Sequence, residues 1–329
     1  MSLEGFKNYL QQIKVEDEVI KQSLQVITEF NDSLHENRKS IETVTINDLH
    51  NFVNYLVENK KNSLDNFIAL MWYSSFIKNN DILVALYEYE DGYEVFDNLA
   101  TKLAEIKGEE NKTEVFKEIT LPPLGTHASK KPPITKKVIE QLEAKIDTET
   151  CKKVLSSGLH SVPKERYQAA RQKYLEIADI DKFLEYRHTQ FVKQLEQHKK
   201  EGTLFFTQEI TDDVLDYVRT NPEIKGVRDG DIVYEAKIPY MAHKYVNEKD
   251  EIRKKYHYCH CFWVRESLVD SEIKVSPMFC YCSAGFHKQY WDAVFDEDVK
   301  VEVVNSILKG DNFCRFAVHL PKEGINLEE

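Results

Sequence analysis

The chain has no apolar run approaching the roughly 20 residues that a membrane span needs, and its first residues lack the apolar stretch of a secretion signal. A cytoplasmic location without membrane contact is therefore expected. Neither Gly-x-Gly-x-x-Gly nor a phosphate-loop pattern occurs, so no motif supports a nucleotide site. Internal repeats and low-complexity tracts are also missing, which argues against a solenoid or a disordered array. Basic residues are in deficit, 44 Lys and Arg against 56 Asp and Glu, and the net charge is −12.

Most of that charge lies early: residues 1–119 hold 12 Lys and Arg and 22 Asp and Glu. So acidic a segment repels phosphate backbones unless its basic groups share one face. What is present suits a globular protein: 42% apolar residues, with 17 Tyr and 17 Phe, is more aromatic content than disordered chains carry. At 329 residues the chain exceeds a single ordinary core and suits two domains of roughly 100 to 200 residues each.

Residues 1–119 read as an all-helical bundle. Val19, Ile20, Leu24, Ile27, Phe30 and Leu34 recur at three- and four-residue spacing, the mark of an amphipathic helix. Thr45 is placed to cap a helix carrying Leu49, Phe52, Val53 and Leu56, and Ser63 one carrying Phe67, Leu70 and Tyr73. Further helices are predicted over 81–89 and 95–106. The segments TINDLHNFVNYLVEN and SLDNFIALMWYSSFIKNN, with the first helix, resemble the SAM-like core-binding domain of phage integrases and tyrosine recombinases. That resemblance implies DNA or protein binding through the bundle, but the acidic balance disfavours nucleic acid. The one His-x-x-Arg, His35 to Arg38, falls inside the bundle rather than in a following catalytic domain, so recombination is not expected.

Residues 120–137, TLPPLGTHASKKPPITKK, hold four prolines and four lysines and read as a semi-rigid, extended linker. Beyond it, 138–329 reads as an α+β domain with a largely antiparallel sheet. Helices are expected over 138–146, 164–178, 181–199 and 211–219; strands over 203–206, 232–238, 256–265, 299–308 and 313–320; and a helix from Ser283.

Six cysteines in a reducing compartment read as ligands, catalytic groups or buried thiols before disulfides. Four of them form two Cys-x-Cys pairs, Cys259/Cys261 and Cys280/Cys282. On a strand, Cys259 and Cys261 point to one face. Cys280 and Cys282 precede a predicted helix whose N-terminal dipole favours thiolate. Four converging thiolates suit zinc, with His257, His260 and His287 as alternative nitrogen ligands; buried structural thiols and a nucleophilic or redox thiol are the other readings. Cys151 and His160 reach the same pocket if the fold brings them in. Cys314 reads as core. Trp263, Tyr290 and Trp291 line an apolar pocket or, as is commoner for aromatics at such spacing, fill a core.

The segments YCHCFWVRESL and FCYCSAGFHKQYWDAVFDEDVKVEVVNSILKGDNFCRFAVHLP are similar to the C-terminal region of the L-2-amino-thiazoline-4-carboxylic acid hydrolase-like family, and more distantly to 4-vinyl-reductase-type small-molecule-binding domains. The resemblance implies a ligand-binding α+β domain, either a hydrolase opening a small cyclic amidine or amide, or a non-enzymatic sensor whose bundle relays occupancy to a partner. Where some sensor relatives place metal ligands, this chain has Val303 and Ser306, so a metal here would stand on Cys259 and Cys261 with Cys280 and Cys282. The catalytic candidates are Cys282, His260 and Glu266, and the ligand-binding candidates Trp263, His287 and Trp291. Oligomeric state is left open.

Overall fold

A computed structural model describes residues 2–270 and 272–321. Two compact units emerge: 1–93 with 121–131, and 94–120 with 132–329. The expected boundary at 119 and linker over 120–137 differ from this division. The chain crosses to the second unit at Glu94, returns at Leu121 and crosses again at Pro132. Its Pro132-Pro133 pair opens a helix instead of extending a spacer, as the fixed φ of proline at the first helical turn allows.

The first unit packs five helices, α1 Leu3–Gln12, α2 Asp17–Glu36, α3 Ile46–Glu58, α4 Leu64–Phe76 and α5 Asn80–Glu90. Their caps are local: Thr45 accepts from the Asp48 amide while the Asp48 carboxylate returns a bond to the Thr45 amide, and Ser63 accepts from the Asn66 amide. Phe6, Ile27, Phe30, Phe52, Leu56, Phe67 and Leu86 share one buried core. The returning segment seals it, with Leu124 against the core and its carbonyl accepting from Asn62 Nδ2 at 2.8 Å. Gly125, at φ +93°, leaves no room for a side chain because an added Cβ would meet Val57 at 2.9 Å.

The second unit opens with α6 Val95–Lys107, α7 Glu109–Phe116, α8 Pro132–Lys145 and α9 Thr148–Leu155. It continues with α10 Gln168–Ile177, α11 Ile180–Glu201, α12 Asp212–Thr220 and α13 Pro222–Lys225. Strands β1 Val227–Asp229 and β2 Ile232–Ala236 follow, then α14 Ala242–Asn247, α15 Glu251–Tyr258, α16 Tyr281–Phe295, β3 Val301–Asn305 and β4 Arg315–His319. The sheet is antiparallel throughout, in the order β1-β2-β4-β3, with Glu235 opposite Phe316 and Val303 also opposite Phe316. An all-helical bundle followed by an α+β unit with an antiparallel sheet is thus the architecture that the residue patterns indicated.

Two predicted strands are absent. Residues 203–206 make only an isolated bridge, Phe205 to Gln208. Residues 256–265 divide between the end of α15, an irregular stretch and a 3₁₀ turn over Arg265–Leu268. Tyr258, Phe262, Trp263 and Val264 are all buried, so the segment is core without a ladder partner. The strand face that was to aim Cys259 and Cys261 together does not exist.

α16 lies across one face of the sheet. Alternation turns Val233, Glu235 and Lys237 of β2 and its extension to that face, while Ser283, His287 and Trp291 form a stripe at four-residue spacing on the helix. Ala284, Trp291 and Val294 share a core with Val233, Val301, Val303, Phe316 and Val318. No helix among the described residues is long and apolar enough to cross a membrane.

Candidate functional site

The stripe of α16 that faces β2 is polar where an apolar seam would be cheaper. Glu235, 4% exposed, accepts from Arg187 Nη1 at 2.7 Å through Oε1, and through Oε2 from Trp291 Nε1 at 2.9 Å and His287 Nδ1 at 3.1 Å. Burial alone would raise its pKa; the Arg187 charge and the bonds from His287 and Trp291 outweigh that and hold the carboxyl well below the usual range. Arg187 in turn stacks over Tyr290 at 4.6 Å and Trp291 at 4.9 Å.

His287 rests face to face on Phe316, with ring centroids 4.3 Å apart. An ionised carboxylate at Nδ1 fixes the proton there and leaves the lone pair on Nε2. That Nε2 is buried and has no hydrogen-bond partner among the described residues. Burial lowers the His287 pKa; Lys237 and Arg187 push it the same way, and Glu235 opposes them.

One turn toward the helix start, Ser283 Oγ accepts from Lys237 Nζ at 2.6 Å. The ammonium also lies over the rings of Phe286 and Phe316, at 5.3 and 5.9 Å. Lysine is half-buried here without a carboxylate at ion-pair distance among the described residues. Its charge acts on three imidazoles, His160, His260 and His287, and disfavours the protonated form of each.

Cys282 sits in the first turn of α16 and is 5% exposed. Its Sγ is 3.6 Å from Nε2 of His160, a residue on the loop that follows α9. Gly285 makes that meeting possible: a Cβ there would stand 3.0 Å from the backbone of Ser156, so the loop lies directly on the helix. Gln289 Nε2 then donates to the His160 carbonyl at 3.0 Å, and Phe286 packs edge-on to the His160 ring at 6.1 Å. Burial, with Lys237, pushes the His160 pKa down to about 4, so the imidazole is neutral near pH 7, with a lone pair that is less basic than that of a free imidazole.

The remaining thiols gather behind this pair. None of the six cysteines is in a disulfide. The Cys261 thiol is pushed well up by burial and then by the neighbouring Cys259, Cys282 and Cys280. Burial likewise raises Cys259, Cys314 and Cys280, the last to about 11 despite a hydrogen bond with Ser306. These are neutral thiols at pH 7. Among the described residues no three or more His, Cys, Asp or Glu side chains are placed to hold a metal ion. Cys151 lies apart, its Sγ donating to the Ile146 carbonyl at 3.4 Å, and is a core thiol.

Other residues singled out in the sequence have separate duties. His260 donates Nε2–H to the Ile238 carbonyl at 2.7 Å, and burial pushes its pKa down to about 3. Glu266 accepts from the Tyr256 hydroxyl at 2.8 Å. Trp263 is buried edge-on against Phe96 at 4.6 Å, and Trp291 is wholly buried with its indole N–H on Glu235. His257 lies 3.6 Å from Glu248.

Lys237, Ser283, Glu235 and Arg187 were not singled out in the sequence. The available signal was Glu235 and Lys237 interrupting an apolar strand at i and i+2, opposite a helix whose Ser283, His287 and Trp291 share one face.

Residues 236–324 match a family model described as a family of unknown function (DUF6144). The matched stretch carries Lys237, Cys259, Cys261, Cys314 and all of α16, while His160, Arg187 and Glu235 precede it. No curated protein and no solved structure matches the chain.

Proposed function

We propose that the second unit binds a small molecule and hydrolyses a C–N bond in it, of the cyclic amidine or amide class, with Cys282 as nucleophile and His160 as its base. The observation that carries this reading is the 3.6 Å contact of Cys282 Sγ with His160 Nε2 in the first turn of a helix. A thiol is activated where a base accepts its proton. In the reaction the thiol proton passes to His160, sulfur bonds to the electrophilic carbon, and the C–N bond breaks. The departing nitrogen takes the proton from His160, leaving a thioester where the substrate is an amide, or a thioimidate where it is an amidine, that water resolves. Lys237 supplies positive charge beside the site as negative charge develops on the substrate.

The test is hydrolysis of simple amides and amidines by the full chain. Cys282→Ala should abolish turnover, and His160→Gln should reduce it by about 10²-fold or more. Equal turnover by wild type and Cys282→Ala would sink the reading.

A second reading, a zinc-binding role, is favoured by one observation: Cys259, Cys261, Cys280, Cys282 and Cys314 come from three distant segments yet act electrostatically on one another. As placed they do not form a coordination set, so zinc would have to draw the thiols together and deprotonate them.

A further inference from the structure

We propose that His287, oriented by Glu235, accepts the proton of the water that resolves the thioester on Cys282, and is thus a second catalytic imidazole beside His160. This rests on the nucleophile reading above, but the observations behind it are separate. The Glu235 carboxylate takes the Nδ1 proton at 3.1 Å and fixes the tautomer, so Nε2 presents a lone pair. A structural histidine in a core needs both nitrogens satisfied, since a buried acceptor with nothing to accept from is destabilising. Here Nε2 is buried and has no hydrogen-bond partner among the described residues. Such an atom is completed when a water or ligand reaches it.

Its surroundings say which ligand. His287 is one turn from Ser283, to which Lys237 donates at 2.6 Å, and Lys237 lies over Phe286, the ring that packs against His160. The two imidazoles therefore flank the same ammonium, one facing the thiol and the other free. The charged and titratable groups acting on His287 are Glu235 and Lys237 from β2 and its extension and Arg187 from α11, with His260 coupled to it from the segment after α15. Carboxylate-held imidazole with a free Nε2 is the arrangement of a general base.

In the step, the water oxygen bonds to the thioester carbon, one water proton goes to His287 Nε2, and the C–S bond breaks with its electron pair on sulfur. The proton returns through solvent to the thiolate. Thioester and water thus give thiol and carboxylic acid.

The experiment uses p-nitrophenyl acetate with the full chain. Wild type should release a burst of about one p-nitrophenolate per chain, followed by slower turnover limited by loss of the acetyl group. His287→Ala should leave the burst rate within about twofold, cut turnover by about 10²-fold, and recover turnover when free imidazole is added. Unchanged turnover, a burst slowed in parallel, or no recovery with imidazole would overturn the assignment. If His287→Ala does not fold, the pH profile of wild type decides. Turnover should fall on acidification with a midpoint below the ordinary imidazole value of about 6.5, because burial lowers the His287 pKa, while the burst persists, and a flat turnover profile overturns the proposal. A missing burst, or a burst that survives in Cys282→Ser, removes the nucleophile reading and this inference together; a normal burst with unaffected His287→Ala turnover removes only the inference.

Discussion

Cys282 Sγ and His160 Nε2 meet at 3.6 Å although 122 residues separate them in the chain. The pairing makes Cys282 the thiol whose reactivity should depend on an imidazole. Alkylation by iodoacetamide, followed by peptide mass spectrometry, should label Cys282 faster than Cys151, whose pKa burial pushes up to about 11. His160→Gln should slow Cys282 labelling about tenfold or more without changing Cys151. Equal labelling of Cys282 in both proteins would show that the imidazole does not assist the thiol.

Gly285 tests the packing that creates this contact. Alanine is the better helix former by about 1 kcal/mol, so an unobstructed site would be stabilised by Gly285→Ala. The added Cβ instead meets the Ser156 backbone at 3.0 Å, and overpacking against backbone typically costs about 1 to 3 kcal/mol. A lowered urea midpoint and slower Cys282 alkylation are expected. A raised midpoint would mean that the loop yields freely.

Glu235 is the hub of the buried charges, and removing its partner leaves it uncompensated. Arg187→Met should destabilise the second unit by about 3 kcal/mol, because a buried carboxylate without its cation is strongly unfavourable. The measurement is chemical denaturation followed by the fluorescence of Trp291, whose indole donates to the same carboxylate. A change below about 1 kcal/mol would show that solvent replaces Arg187.

Acid should weaken the fold before its carboxylates titrate. His160 and His260 have pKa values depressed to about 4 and about 3 from 6.5. Above pH 6.5 neither folded nor unfolded imidazole is protonated and their contribution is intact. As pH falls through 6.5 the unfolded imidazoles bind protons that the folded ones refuse, so stability is lost down to the folded values. Each residue contributes a slope of up to about 1.4 kcal/mol per pH unit. His260→Asn should flatten the decline between about pH 6 and pH 4, and an unchanged slope would show that His260 is not held neutral.

Zinc content separates the two readings of the thiols. The metal-site reading expects about one equivalent in purified protein and its loss in Cys259→Ser with Cys282→Ser. Elemental analysis without metal, with folded protein active on p-nitrophenyl acetate, leaves these cysteines as buried neutral thiols around the nucleophile.

Helix positions in the first unit follow from local chemistry. Thr45 and Ser63 cap because their oxygens satisfy amides three residues on, and apolar spacing marks the buried faces; both are short-range properties. The helix beside the second Cys-x-Cys pair was legible for the same reason, although it starts at Tyr281 and takes Cys282 into its first turn, and burial raises the Cys280 pKa where the helix dipole alone would lower it. The alternation over 256–265 misled because buried aromatics look alike in a central strand and in an irregular core segment, and only a ladder partner distinguishes them. What the sequence by itself determined is therefore the longer amphipathic helices, the Thr45 and Ser63 caps and the class of each unit, while short helices such as α7, α9, α14 and α15 left no such signal. Tertiary structure alone decided that a loop after α9 brings His160 to Cys282, that Arg187 and Glu235 meet across the α11–β2 gap, and that His287 keeps Nε2 buried and open. Those relations span tens of residues, and long-range packing sets them where no local pattern reaches.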